Sequence, residues 1–358
     1  MPLARNTLFF GLLCLTSCGE PAPAGFVTEH LIVEPTDAPM VCRGTLDDLE
    51  AQLVRVAAAL DVEVLDPIEV YYGPSAVAEH CSQRPGVRVG GCTYGYGPET
   101  FVASEFLSLY HEIVHAVRHS SGPTGPSFFE EGLAVAFAGF RPFGVVLARQ
   151  SDAIPPEHGP AALARAPGRL GRDHYGTAGH FITWLIAAYG QETVSAFLKD
   201  PRLADAVDEA FADHFAVTLE EAELDWRATS EVQYTLGQAC YPERALRWDD
   251  DKLEYAARLA CDEPYVLGPQ EGNHIGTRGA CFPRDRAGML SVEMVATSGE
   301  VTLRHQDDCL AVGPLSAEHY QDKRIVAGET LDAPFAPCTW EISIITASPT
   351  DFTLRLSR

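Results

Sequence analysis

The stretch Leu109-Tyr110-His111-Glu112-Ile113-Val114-His115 constrains this chain more than any other. It lies inside the apolar run Phe101 to Val117. If that run is helical, His111 and His115 stand four residues apart on one face. Two imidazoles on one face can grip a single ion of the zinc type. Glu112, one residue after the first histidine, is then placed to handle a water at that ion. A hydrolytic zinc site uses three protein ligands and keeps a fourth position open, so a third ligand has to come from elsewhere in the chain.

Within the sequence that ligand is not another histidine six residues on, because position 121 is Ser. His119 lies one turn further along the same face, but one straight helix cannot wrap three ligands around a tetrahedral ion, and a surface role suits it better. Glu131 is the better candidate. It sits sixteen residues after His115 in the apolar segment Ser127 to Phe137, which reads as a second helix beyond the Ser-Ser-Gly-Pro-Thr-Gly-Pro loop. Two helices joined by that loop can set its carboxylate across from the imidazoles, with Gly132 allowing close approach.

The rest of the chain reads as two halves. Glu29 to Val33 reads as a strand. Leu46 to Leu60 reads as a helix capped by Thr45, Ile68 to Tyr72 as a strand, and Val87 to Val89 and Thr93 to Phe101 as extended. Helices then dominate from 102 to 230: Tyr175 to Tyr189, Glu192 to Leu198, Leu203 to Phe215, and Leu219 to Ala228 with Thr218 and Glu221 as a capping box. Arg141 to Gly171 reads as irregular, and a connection of that length is either a lid or a solvated insertion. From Cys240 the pattern changes to period-two alternation in Leu290-Val292-Met294, Val301-Leu303, Trp340-Ile342-Ile344 and Phe352-Leu354-Leu356, which predicts an antiparallel β-sandwich. The expected division is therefore 1–17 signal, 18–25 tether, 26–235 α+β domain and 240–358 all-β accessory domain. With 358 residues, 46% hydrophobic and 21% charged, the chain is long enough for two such cores.

Met1 to Arg5, the apolar Leu8 to Leu15, and Leu15-Thr16-Ser17-Cys18 resemble a bacterial lipoprotein signal. That resemblance implies acylation of Cys18, export and a lipid anchor to a membrane. With Gly19 following, it implies the outer membrane or cell surface of a Gram-negative bacterium. A plain cleaved signal is the alternative. Loss of residues 1–17 removes one basic residue, Arg5, and leaves 25 against 50 acidic residues, a net charge of −25. Such a balance disfavours nucleic acid and anionic headgroups as partners. Setting aside Cys14 and Cys18, eight cysteines remain, an even number that suits disulfides in an exported chain. Cys81 with Cys92 and Cys309 with Cys338 are plausible pairs, while the pairing of Cys42, Cys240, Cys261 and Cys281 stays open.

His111-Glu112-Ile113-Val114-His115, followed by Phe129-Glu130-Glu131-Gly132-Leu133-Ala134, resembles the gluzincin metallopeptidases of the peptidase-MA-like group. Tyr175-Gly176-Thr177-Ala178-Gly179-His180-Phe181 resembles the helix that follows in them. The resemblance spans about residues 40–230 and is specific in the metal motif. It implies a zincin-like fold of the thermolysin/gluzincin type and a Zn2+ ion on His111, His115 and Glu131. Glu130 takes a supporting place, with an exchange of the two glutamates left open. Glu112 is implied as the general base, and Tyr175, or its neighbour His174, as the donor to the oxyanion. His180 is a core or supporting histidine. The pre-helix segment Gly90-Gly91-Cys92-Thr93-Tyr94 lacks the amine-binding Glu of the family's aminopeptidases, so an endopeptidase acting on a peptide or protein is favoured. The alternative is a catalytically silent surface lipoprotein that keeps the fold.

Overall fold

A computed structural model describes residues 25–36, 41–81, 90–105, 110–122, 124–138, 154–229, 244–270, 274–305 and 317–358. The first half is an α+β unit. Its sheet is built from β1 (Phe26–Val27), β2 (Leu31–Pro35), β3 (Ile68–Tyr72), β4 (Gly91–Tyr94) and β5 (Phe101–Ser104), in the order β1-β2-β3-β5-β4. β2, β3 and β5 run parallel, and β4 joins β5 antiparallel at the edge, with Thr93 opposite Val102. Leu31, Val33, Ile68, Val70 and Val102 point alternately to one face and are fully or almost fully buried there against helices.

The helices described in this unit are α1 (Arg43–Leu60), α2 (Pro74–His80), α3 (Tyr110–Ser120), α4 (Ser127–Ala138), α5 (Pro160–Arg165), α6 (Tyr175–Tyr189), α7 (Gln191–Leu198), α8 (Val207–Phe215) and α9 (Leu219–Ala228). α3 is amphipathic: Ile113, Val114, Ala116 and Val117 go into the core, while His111, Glu112 and His115 stay partly accessible. α4 is apolar nearly all round, which suits a helix enclosed by others. α2 packs on the far face of the sheet, where Ala76, Val77, Cys81, Cys92 and Ala103 form a small separate cluster.

The second half holds two antiparallel sheets. β6 (Lys252–Leu259), β9 (Gly288–Ala296), β12 (Thr330–Phe335) and β14 (Thr350–Ser357) form one, ordered β12-β9-β14-β6. The other is ordered β11-β10-β13-β8-β7, from β7 (Val266–Gln270), β8 (His274–Pro283), β10 (Glu300–His305), β11 (Lys323–Val326) and β13 (Thr339–Thr346). Phe282, Phe335, Trp340, Ile342, Leu354 and their neighbours make one apolar core between them. Cys42, at the start of α1, belongs to this second core and is bonded to Cys261.

Several expectations are corrected. Thr45 is not the cap of α1: the helix begins at Arg43 after Cys42. Thr45 Oγ1 instead donates to the Gly268 carbonyl at 3.2 Å and accepts from the Gly268 amide at 2.9 Å. A cross-domain partner outcompetes the local one. The run Phe101 to Val117 is not one helix, because Phe101–Ser104 pairs with β3 as a strand. Thr93 to Phe101 is interrupted by a 3-10 turn at Gly97–Glu99, where Gly95 and Gly97 take positive φ. Leu203 to Phe215 is likewise broken, into a 3-10 turn at Pro201–Ala204 and α8. The second part of the 141–171 segment is not irregular. α5 buries Pro160, Ala161, Leu163 and Ala164, the Ala161 amide donates to Glu223 at 2.9 Å, and Arg165 pairs with Asp208 and Glu220. The Thr218–Glu221 capping box is present. Cys81–Cys92 is bonded; Cys281 and Cys338 are also in disulfides, and Cys240 and Cys309 lie outside the described residues. So do Cys18 and the whole signal and tether, and Val87 to Val89. Among the described residues no helix is long and apolar enough to cross a membrane.

Candidate metal centre

α3 presents His111 and His115 on one face, and α4 brings Glu131 to meet them. His111 Nε2 and Glu131 Oε2 are 3.0 Å apart, His115 Nε2 and the same oxygen 3.3 Å, and the two Nε2 atoms 3.2 Å. Three donor atoms converge on one point. In a tetrahedral zinc site with ligands at about 2.0–2.1 Å, neighbouring ligand atoms stand about 3.3 Å apart, so the 3.0–3.3 Å edges of this triangle fit such an ion. A carboxylate on a largely apolar, enclosed helix is costly unless it is paired, and only 17% of the Glu131 side chain is exposed.

The electrostatics follow from that crowding. Burial opposes charge on His115, but the adjacent Glu131, with Glu112 and Glu130 nearby, pushes the imidazole up to about 9. Burial also opposes ionisation of Glu131, yet its contacts with His111 and His115 hold it well below the usual carboxylate range. A cation loaded here takes the place of the proton that the His115 imidazole otherwise holds.

Glu130 and Glu131 are clearly separated. Glu130 turns into the interior, where Oε1 accepts from the Gly125 amide at 2.9 Å and lies 3.5 Å from Arg118 Nη2. Arg118 in turn donates to the Leu198 carbonyl. Glu131 alone joins the histidines. Gly132 does allow a close approach, but of α4 to α6: a Cβ there stands 2.7 Å from the Ala178 carbonyl oxygen and 2.8 Å from Ile182 Cγ1. The approach expected between α3 and α4 is thus made between α4 and α6, because α6 is the helix that lies behind Gly132.

Tyr175 opens α6 and stacks on His111, with ring centroids 5.8 Å apart and planes 8° from parallel. Its hydroxyl hydrogen-bonds to Glu131, and burial followed by that carboxylate raises the phenol well above its ordinary value. His174, the rival candidate, faces His158 with ring centroids 4.8 Å apart. His180 is a core residue, fully buried, whose Nδ1 accepts from Trp226 Nε1 at 2.7 Å. Burial lowers it to about 4. His119 is not a free surface group: it packs on Tyr96 and its Nδ1 lies 3.1 Å from the Gly95 carbonyl.

Glu112 sits beside the triad against the edge strand. Thr93 Oγ1 donates to its carboxylate at 3.0 Å, and Gly91 lies directly behind its side chain. In the sequence this segment stands out only for the glutamate it lacks. The Gly90-Gly91 doublet ahead of a short β-forming run was the available signal. A second grouping, Glu29, His30 and Glu50, also brings ligand-type atoms together, but there the Glu50 carboxylate already takes hydrogen bonds from Thr28 and from the His30 amide. Set against known proteins, the chain matches no family model, no curated protein and no solved structure.

Proposed function

We propose that this chain is a zinc-dependent peptidase, with an endopeptidase favoured, built on a zincin-like α+β unit. The observation that carries the proposal is the meeting of His111 Nε2, His115 Nε2 and Glu131 Oε2 at 3.0–3.3 Å with Glu112 beside them. Two imidazoles and one carboxylate suit zinc, and three protein ligands leave a position open for chemistry. When bound, the ion supplies a Lewis acid that polarises a scissile carbonyl and lowers the pKa of water towards about 7. Glu112 accepts the proton of the attacking water at its carboxylate and hands it to the departing amine. Tyr175 donates a hydrogen bond to the oxygen that gains negative charge, once its hydroxyl is released from Glu131. The edge strand β4, which carries no acid to hold a free substrate amine, favours cleavage within a chain over cleavage from an N-terminus.

The proposal extends to location. The signal-like Leu15-Thr16-Ser17-Cys18 and the disulfides Cys42–Cys261 and Cys81–Cys92 both suit an exported, lipid-anchored protein at a bacterial surface. Metal analysis, together with cleavage of a casein digest and a peptide library by wild type and Glu112→Gln, tests the activity. The expected result is one equivalent of zinc in both proteins and cleavage by wild type alone. Equal zinc with no cleavage by either overturns the enzyme reading and leaves the silent lipoprotein.

A further inference from the structure

β4 reaches the site through one side chain and one missing side chain. Thr93 Oγ1 lies 3.0 Å from Glu112 Oε2 and 3.1 Å from the Glu112 backbone oxygen. A hydroxyl has a single proton to give. A carbonyl in the first turn of an α-helix already receives the amide four residues on, whereas the carboxylate oxygen keeps free lone pairs. The proton therefore goes to the carboxylate. Two residues back on the same face of the strand, a Cβ at Gly91 would stand 3.0 Å from Glu112 Cγ and 3.2 Å from Oε1. The side chain of Glu112 thus fills the space that the glycine leaves and is tied down by the threonine. Cys92, between them, faces the other way and is bonded to Cys81 at the end of α2, which anchors the strand.

We propose that Thr93 is a positioning residue for Glu112, and that Gly91 provides the space in which Thr93 holds the carboxylate. The inference rests on the proposed function for its consequence on rate. Thr93 acts through Glu112 and leaves the metal ligands alone, so its loss is felt in kcat rather than in metal affinity. Displacement of a proton acceptor by about 1 Å costs on the order of 10²-fold in rate.

The test combines kinetics, zinc titration and crystal structures of the metal-free proteins for wild type, Thr93→Val and Thr93→Ser. Thr93→Val keeps the shape and the β-propensity and removes the donor. Its expected kcat is roughly 10- to 100-fold below wild type, with KM and zinc affinity unchanged, and Thr93→Ser restores it. In the crystal structures the Glu112 carboxylate leaves its place in Thr93→Val and keeps it in Thr93→Ser. A Thr93→Val protein with wild-type kcat, or with Glu112 unmoved, overturns the inference while the proposed function stands. A wild-type protein that binds zinc and cuts nothing overturns the proposed function, and the position of Glu112 in the metal-free variants still decides whether Thr93 holds it.

Discussion

Replacing Gly132 by alanine sets two effects of opposite sign against each other next to Glu131, the proposed third metal ligand. Alanine is favoured over glycine in a helix interior by up to about 1 kcal/mol. Against that, the new methyl stands 2.7 Å from the Ala178 carbonyl oxygen and 2.8 Å from Ile182 Cγ1, where ordinary contact begins at 3.4 Å. The nearer obstacle is backbone of α6, not the end of a flexible side chain, so the two helices must part by about 0.7 Å. Overpacking of that kind costs about 1–3 kcal/mol. Because the obstacle is backbone, the cost falls in the upper part of that range, and the expected net loss is up to about 2 kcal/mol. The shift also carries Glu131, the preceding residue, away from the imidazoles. Ligand distances tolerate only about 0.2 Å, so zinc affinity falls at least about tenfold, or 1.4 kcal/mol. Urea denaturation of the metal-free protein reads the first effect, and competition with a chromogenic chelator reads the second. Gly125→Ala is the comparison, because there the obstacle is the Leu203 side chain, which can turn aside. A Gly132→Ala protein as stable as wild type, with unchanged zinc affinity, refutes the close packing of α4 on α6 and its link to the site.

Tyr175→Phe removes the hydroxyl while keeping the ring on His111, so kcat falls by about 10²–10³ with little change in zinc affinity; an unchanged kcat removes Tyr175 from the chemistry. His115 lies at about 9 against an ordinary 6.5, so its pairing with Glu131 stabilises the metal-free protein fully below about pH 6.5 and is lost as pH rises through 9. Zinc competes for the same nitrogen, so its affinity climbs across that window, by about tenfold per pH unit for each proton displaced; chelator competition between pH 6 and 9 measures this, and a flat profile contradicts it. Cys42→Ser with Cys261→Ser opens a link across 219 residues and is expected to cost about 2–5 kcal/mol. Urea unfolding followed by tryptophan fluorescence should then separate the α+β unit from the β-sandwich, and one unshifted transition rules this out.

The sequence by itself determined the local features. A four-residue spacing places His111 and His115 on one face of any helix, whatever surrounds it. The 3.6-residue pattern marked Tyr175–Tyr189 and Leu219–Ala228, because their apolar faces are set by periodicity alone. The Thr218–Glu221 box closes within four residues and was legible for the same reason. In the sandwich, period two marked the cores of β9, β10, β13 and β14. β7 and β8 went unnoticed because Gly268, Gly276 and Gly279 interrupt their alternation.

Only the tertiary structure decided the contacts between segments distant in sequence. Thr45 has the chemistry of a helix cap, yet its hydroxyl serves Gly268, 223 residues away. Cys42 chose Cys261 among several open pairings because the start of α1 lies against β7. Glu130 and Glu131 are chemically identical neighbours, and the helix rotation that sends one to Arg118 and the other to the histidines is set by packing. The same holds at the motif itself: the spacing of His111, Glu112 and His115 is a property of one helix, but the strand that holds Glu112 arrives by sheet pairing, a non-local interaction that no local pattern records.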